Sequence, residues 1–227
     1  MELIAHRGCA GQFPENTVRA IRGSAPRVSH VELDVRRCGS GELVAFHDAD
    51  LDGKTSATGA VAETDWSALR ALTVGDSGEP IPLLSEALEA FPDGVGVELD
   101  LKADGAAAEA VGLATDAGVE SLVLSGDRAV VSAAVDAVDA PVGYIVDAAS
   151  LDAELETALE AGCAFVYVTY ELCDDRALVE RIHDAGLAVN AGSIREAAAA
   201  DRYVDRLREA GVDYLSVDRC DWEALYP

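Results

Sequence analysis

Glu32 and Asp34 stand two residues apart in an apolar run, Val31-Glu-Leu-Asp-Val35. A strand puts residues i and i+2 on one face, so the two carboxylates point one way and Val31, Leu33 and Val35 the other. Like charges on one face repel unless something holds them. Carboxylate oxygens suit a hard divalent cation, Mg²⁺ or Ca²⁺. Taken alone, the stretch reads equally well as an edge strand with its acids in water. Other stretches point to a shared polar site. Ile4-Ala-His6-Arg7-Gly8 ends a short apolar run. A turn, Cys38-Gly-Ser-Gly41, leads into Leu43–Phe46, which delivers His47 and Asp48. In Val95–Lys102, Val97, Leu99 and Leu101 alternate with Glu98, Asp100 and Lys102.

These residue types suit the cleavage of a phosphate diester. Arg7 offers a planar fork and Lys102 a point charge for the non-bridging oxygens. Glu32, Asp34 and Asp100 offer oxygens to one divalent cation, a Lewis acid that orients the substrate. His6 and His47 can exchange protons near neutral pH as general base and general acid. Asp48 reads as a support for His47 or a loop cap. Glu98 has the parity to line the polar interior. His30 and His183 lack such settings and read as packing or surface residues.

Alternating strands and helices must position these groups. Pro14-Glu-Asn-Thr17 reads as the start of a helix, since proline and acid suit a first turn. Residues 49–64 form a loop too long for a simple connector, placed to rim the site after His47. Short helices are expected over 65–72 and 83–91. From residue 94 onward the pattern is regular. Strands are expected at 95–101, 121–125, 142–146, 164–169, 187–190 and 214–217, with helices at 105–117, 129–138, 151–161, 176–185 and 194–210. Four helices end in Ala-Gly, at Gly118, Gly162, Gly186 and Gly211, the signature of a left-handed C-terminal cap. With the first strand and the Val31 strand this makes eight, which suits a single (β/α)₈ barrel (TIM barrel) spanning residues 1–227, with a long loop or small insertion after the second barrel strand. A doubly wound sheet would announce a glycine-rich phosphate loop after its first strand, and His-Arg-Gly stands there instead. Barrel sites lie at the C-terminal ends of strands, where His6, Asp34, His47 and Lys102 fall.

Composition narrows the partners. The chain has 227 residues, 42 acidic and 17 basic, for a formal net charge of −25. Only two of the basic residues, Lys54 and Lys102, are lysines. Nucleic acid and anionic membranes need a basic face, so neither is expected as a partner. High acid with scarce lysine is the composition of a salt-adapted, halophilic protein. Cys9, Cys38, Cys163, Cys173 and Cys220 show no metal or disulfide spacing and read as free, mostly buried thiols. The apolar start is too short for a signal peptide and no run approaches a membrane span. A cytoplasmic, soluble protein is the expectation.

The motifs together resemble the glycerophosphodiester phosphodiesterases. The family pattern runs His-Arg-Gly, Pro-Glu-Asn-Thr, Glu-x-Asp, His-Asp and acid-x-Lys. Here these stand as His6-Arg7-Gly8, Pro14–Thr17, Glu32-Leu-Asp34, His47-Asp48 and Asp100-Leu-Lys102. Gly59 and the end strand Asp213–Asp218 are weaker echoes. The resemblance implies a (β/α)₈ barrel, one divalent cation and hydrolysis of glycerophosphodiesters to glycerol phosphate and an alcohol. It implies Glu32, Asp34 and Asp100 as metal ligands, His6 and His47 as the acid–base pair, and Arg7 and Lys102 on the phosphate. Glu15 would order the first loop or contact substrate. Three positions depart from the family: Asp100 replaces the usual Glu, Lys54 replaces a common arginine, and residues 190–193 lack the usual tryptophan. These departures keep two alternatives open: a related barrel acting on phospholipid or another phosphodiester, and a phosphodiester-binding protein without catalysis.

Overall fold

The computed structural model describes residues 1–226 of the chain. Strand β1 (Glu2–Ala5) is followed by a tight left-handed loop, helix α1 (Val18–Ser24) and strand β2 (His30–Arg37). Strand β3 (Leu43–Ala45) returns antiparallel to the end of β2. Two short helices, α2 (Trp66–Leu69) and α3 (Leu84–Leu88), lead to β4 (Gly96–Leu101). The rest alternates: α4 (Ala107–Asp116), β5 (Leu122–Gly126), α5 (Arg128–Ala137), β6 (Val142–Ile145), α6 (Leu151–Glu160) and β7 (Phe165–Val168). Then come α7 (Tyr170–Cys173), α8 (Arg176–Asp184), β8 (Ala188–Ile194), α9 (Ala197–Ala210) and β9 (Tyr214–Val217).

Eight parallel strands close into a barrel in the order β1-β2-β4-β5-β6-β7-β8-β9, and β1 pairs with both β2 and β9. β3 lies outside this cylinder, on the edge of β2 beyond the point where β1 stops. The expected (β/α)₈ barrel is therefore present, and the period-2 pattern explains its register. Glu32 pairs with Glu98 and Asp34 with Asp100 across β2 and β4. Glu32, Glu98 and Asp100 line the cavity inside the barrel. The opposite parity, Val31, Leu33, Val35, Val97, Leu99 and Leu101, is buried in one apolar cluster with helix residues such as Ile21, Leu84 and Leu88. Each fully buried Leu or Ile contributes roughly 1.5–3 kcal/mol through the hydrophobic effect.

The helix ends follow their caps. Gly118, Gly162, Gly186 and Gly211 all have φ between 74° and 92°, as the Ala-Gly endings require. At the starts, the Asp127 carboxylate accepts from the Ala129 and Val130 N–H groups, and that of Asp175 from Ala177.

Three expectations are corrected. Pro14–Thr17 does not begin a helix: Asn16 has φ 58°, and Thr17 is the cap of α1, its hydroxyl accepting from the Ala20 N–H. Strand β8 runs to Ile194, past the expected 190, and its pairing with β9 is irregular between Ala191 and Ile194; α9 accordingly starts at Ala197 and not at 194. The segment after β3 is more than a loop. Val44, Phe46, Leu51, Val61, Leu69 and Ile81 bury one another in a second small core.

Candidate active site

The first loop shows how the site is built. Arg7, Gly8 and Cys9 have φ of 52°, 72° and 67° in succession. Left-handed backbone costs roughly 1–2 kcal/mol per non-glycine residue. Gly8 cannot be otherwise: a Cβ there would lie 2.6 Å from that of Ala20. The coil aims the Arg7 backbone N–H at Glu32 Oε2, 2.6 Å away. It also leaves the His6 ring at the end of β1, where Nδ1 meets Asp218 Oδ1 at 2.7 Å. Asp218 follows β9, the strand beside β1.

Glu32, Asp34 and Asp100 each offer an oxygen within 4.8 Å of the others, and all three are buried. Two of their oxygens, Glu32 Oε1 and Asp100 Oδ1, have no hydrogen-bond partner. Burial, with Asp34, Asp100 and Glu98 nearby, pushes the Glu32 carboxyl well above its ordinary range. Burial raises Asp100 also, against the pull of Lys102. Such a trio with orphaned oxygens fits a divalent cation, which would hold all three ionised. Glu98 stands one step deeper in the barrel. Its Oε1 accepts from the Ser125 hydroxyl at 2.9 Å, and burial pushes it up to about 8.

Cations frame the trio. Lys102 contacts Asp100 and lies 3.5 Å from Asp34. These two carboxylates hold its ammonium above the ordinary value although burial works the other way. Arg7 Nε lies 3.2 Å from Asp34 Oδ2, near enough for an ion pair but not aligned as a hydrogen bond. Its guanidinium is likewise raised, burial being outweighed by Asp34, Glu32 and Glu15. Arg7 also lies 3.4 Å from Glu15, and Lys54 meets Glu15 at 2.9 Å. Glu15 thus ties the first loop to the insertion.

On the other flank, His47 Nδ1 lies 2.6 Å from Asp48 Oδ1. The Asp48 carboxyl sits below its ordinary value: the hydrogen bond from His47 and the charge of Lys54 outweigh the opposing effect of partial burial. Arg36 Nε donates to the His47 carbonyl at 2.7 Å, which fixes the backbone that carries the ring.

The ten residues singled out from the sequence thus converge on one end of the barrel. Sequence reasoning missed Asn16, whose buried amide clamps Asp34, because it read Asn16 as part of a helix. Asp218 was noticed only as a strand echo. Its partner is 212 positions away, and nothing local signals that pairing. His30 packs between Ser29 and Ser121, and His183 bonds Asp213, so both lie apart from the site as expected. The five cysteines are free and buried. Among the described residues, no helix is long and apolar enough to cross a membrane.

Comparison with known proteins agrees with this geometry. The crystal structure of a glycerophosphodiester phosphodiesterase from Agrobacterium tumefaciens str. C58 superposes with a TM-score of 0.86 over 100% of both chains, at 22% identity, which establishes the shared fold. An Oleispira antarctica phosphodiesterase, solved in complex with the product sn-glycerol-3-phosphate, is 28% identical, with a TM-score of 0.82 over 96% of this chain and 93% of that one. A glycerophosphodiester phosphodiesterase from Caldanaerobacter subterraneus subsp. tengcongensis is 35% identical over 98 residues, 40% of each chain. The matches to curated relatives span less than half of their length, 45% in a Bacillus subtilis (strain 168) protein. The model of the glycerophosphoryl diester phosphodiesterase family, in contrast, matches residues 6–222. That span runs from the histidine ending β1 to beyond Asp218 and takes in both His–Asp pairs and the acidic trio, so the chain belongs to the glycerophosphoryl diester phosphodiesterase family.

Proposed function

We propose that the protein hydrolyses glycerophosphodiesters to glycerol phosphate and an alcohol, with one divalent cation held by Glu32, Asp34 and Asp100. The observation that carries this reading is the buried carboxylate trio flanked by His6–Asp218 and His47–Asp48. When bound, Mg²⁺ or Ca²⁺ neutralises charge on the phosphate and orients it. A cation at the trio frees Lys102 and Arg7 from sole duty as counter-ions to Asp100 and Asp34, so both can turn to the phosphate oxygens. His6 and His47 each present Nε2 outward, because Nδ1 is engaged by an aspartate. One takes the proton of the attacking oxygen, that of water or of the glycerol's own hydroxyl, and the other gives a proton to the leaving alcohol oxygen; in the second route water then opens the cyclic phosphate to give glycerol phosphate. Each aspartate fixes its ring and stabilises the imidazolium. The two pairs favour catalysis over binding alone, since a binding protein has no use for paired, oriented imidazoles.

The test is release of glycerol phosphate from glycerophosphocholine and glycerophosphoglycerol in molar KCl, with Mg²⁺, with Ca²⁺ and with a chelator. Turnover that needs a divalent cation and stops with chelator supports the reading. A folded protein with no turnover in either metal rejects it. The net charge of −25 favours small soluble diesters over an anionic lipid surface. Free, buried cysteines suit a reducing compartment, and we further infer action in the cytoplasm without stable membrane association, by one domain spanning residues 1–227.

A further inference from the structure

Besides the carboxylate oxygens of the trio, two further buried polar atoms on the barrel strands have no hydrogen-bond partner among the described residues. The Tyr167 hydroxyl and Asn190 Nδ2 are both buried without a partner, and the two residues are register neighbours on β7 and β8. Asn190 uses its other amide atom to accept from Ser216 at 3.1 Å. Tyr167 lines the same cavity of about 370 Å³ as His6, Glu32 and Asp100. An unpaired buried hydroxyl at such a place marks where a ligand supplies the missing partner.

The barrel order places that hydroxyl. β7 is four strands from β2 in either direction, so Tyr167 faces the acidic trio from across the barrel. The wall between them is rich in hydroxyls, with Ser125, which bonds Glu98, and Ser193 and Ser216 beside Val146, Val168 and Tyr170. The hydroxyls of such a wall suit a neutral polyol. Glu171 and Arg195, on the β7 and β8 side of the cavity, are exposed. The Tyr167 ring is braced: it meets Phe165 edge-on at 5.5 Å. Phe165 in turn occupies the space over Gly143, where a Cβ would lie 2.0 Å from the ring. A braced side chain is preorganised for recognition.

We infer that Tyr167 is the specificity-determining residue for the glycerol half of the diester. Its hydroxyl hydrogen-bonds the terminal glycerol hydroxyl, the one farthest from the phosphate. Its ring supplies, one strand over, the aromatic wall absent from residues 190–193. The inference rests on the phosphodiesterase reading above and adds the residue that reads the substrate's polyol.

The experiment is calorimetric titration with sn-glycerol 3-phosphate and with the phosphate monoester of propane-1,2-diol that lacks only the terminal hydroxyl. It is done on wild type and Tyr167→Phe with Mg²⁺ and Ca²⁺ present, with glycerophosphocholine turnover of wild type measured alongside. One neutral hydrogen bond predicts that wild type prefers the glycerol ester by about threefold to tenfold and that Tyr167→Phe loses this preference. Tyr167→Leu, which also removes the ring, should weaken both ligands. A preference retained in Tyr167→Phe, or none in wild type, overturns the inference; an ordered water completing the phenol gives that second result. Turnover without the preference leaves the phosphodiesterase standing and the inference refuted. A preference lost in Tyr167→Phe, in a protein without turnover, establishes the subsite and refutes the enzyme.

Discussion

Asn16 clasps Asp34 with both ends of its amide: Nδ2 donates to Asp34 Oδ2 at 2.9 Å, and Oδ1 accepts from the Asp34 N–H at 3.0 Å. Both residues are buried, and Asn16 pays for this position with φ 58°. Asn16→Ala removes both buried hydrogen bonds and puts alanine in left-handed backbone that asparagine tolerates better, so it should destabilise the fold by about 1–4 kcal/mol. Asn16→Gly loses the same hydrogen bonds but relieves the backbone, so the difference between the two variants measures the backbone share. Urea titration of the three proteins measures both. An alanine variant as stable as wild type would show that the clasp contributes nothing.

The His6–Asp218 contact predicts a second set of outcomes. His6→Ala should lower kcat by about 10²–10⁴-fold, the usual range for loss of an acid–base group. Asp218→Asn keeps the shape and loses the charge, and should fall between that variant and wild type. The two act as one unit, so the double variant should be no slower than His6→Ala alone. Multiplying losses would mean that Asp218 works independently of His6.

The buried carboxyls make the metal-free protein sensitive to base. Glu98 is pushed up to about 8 from its ordinary 4.5, and Glu32 is raised in the same direction. In this window the folded protein holds protons that the unfolded chain releases. Their stabilising contribution is complete below about 4.5 and is lost as the pH rises through about 8. In chelator, the thermal midpoint should therefore fall between pH 5 and pH 8. Glu98→Gln, which can still accept from Ser125, should flatten the fall, and added divalent cation should oppose it. A midpoint that rises across this interval in chelator would contradict the reading.

Lys102 pairs with Asp34 and Asp100, so a divalent cation bound there would compete with its ammonium. Lys102→Met should accordingly tighten cation binding several-fold while lowering turnover by about 10²-fold, the scale expected for losing a charge aimed at the reacting phosphate. Calorimetry and kinetics on one preparation separate the two effects. Weaker cation binding in the variant would show that Lys102 assists the trio and does not oppose it.

Salt should stabilise the chain. Its charge of −25 is screened progressively as the Debye length drops from about 10 Å at 0.1 M to about 3 Å at 1 M. The urea midpoint should rise over this range of KCl. A flat response would show that the acidic surface is already neutral to folding.

The residues legible in the sequence were those whose neighbours share their element. Glu32, Asp34, Glu98 and Asp100 announce themselves through strand alternation, and the four capping glycines mark their helices for the same local reason. His47 and Asp48 are adjacent and already form a pair. Asn16 was hidden because Pro-Glu-Asn-Thr has the composition of a helix start; what decides its conformation is the tertiary clasp on Asp34. Tyr167 was passed over because an aromatic was sought at 190–193, whereas side chains on adjacent strands of a barrel can serve one cavity. The second small core was missed because residues 49–64 carry no apolar period: Leu51 and Val61 are isolated in sequence and meet only after the segment folds back.

β1 and β9 pair along their whole length, Ala5 against Val217, and His6 meets Asp218 just beyond. During synthesis the acidic trio, the clasp on Asp34 and the His47–Asp48 pair all emerge within the first half of the chain. The brace for His6 arrives only with the final strand. The carboxylate trio is thus complete in sequence long before His6 gains its partner, and the His6–Asp218 contact joins the two ends of the chain where the cylinder closes.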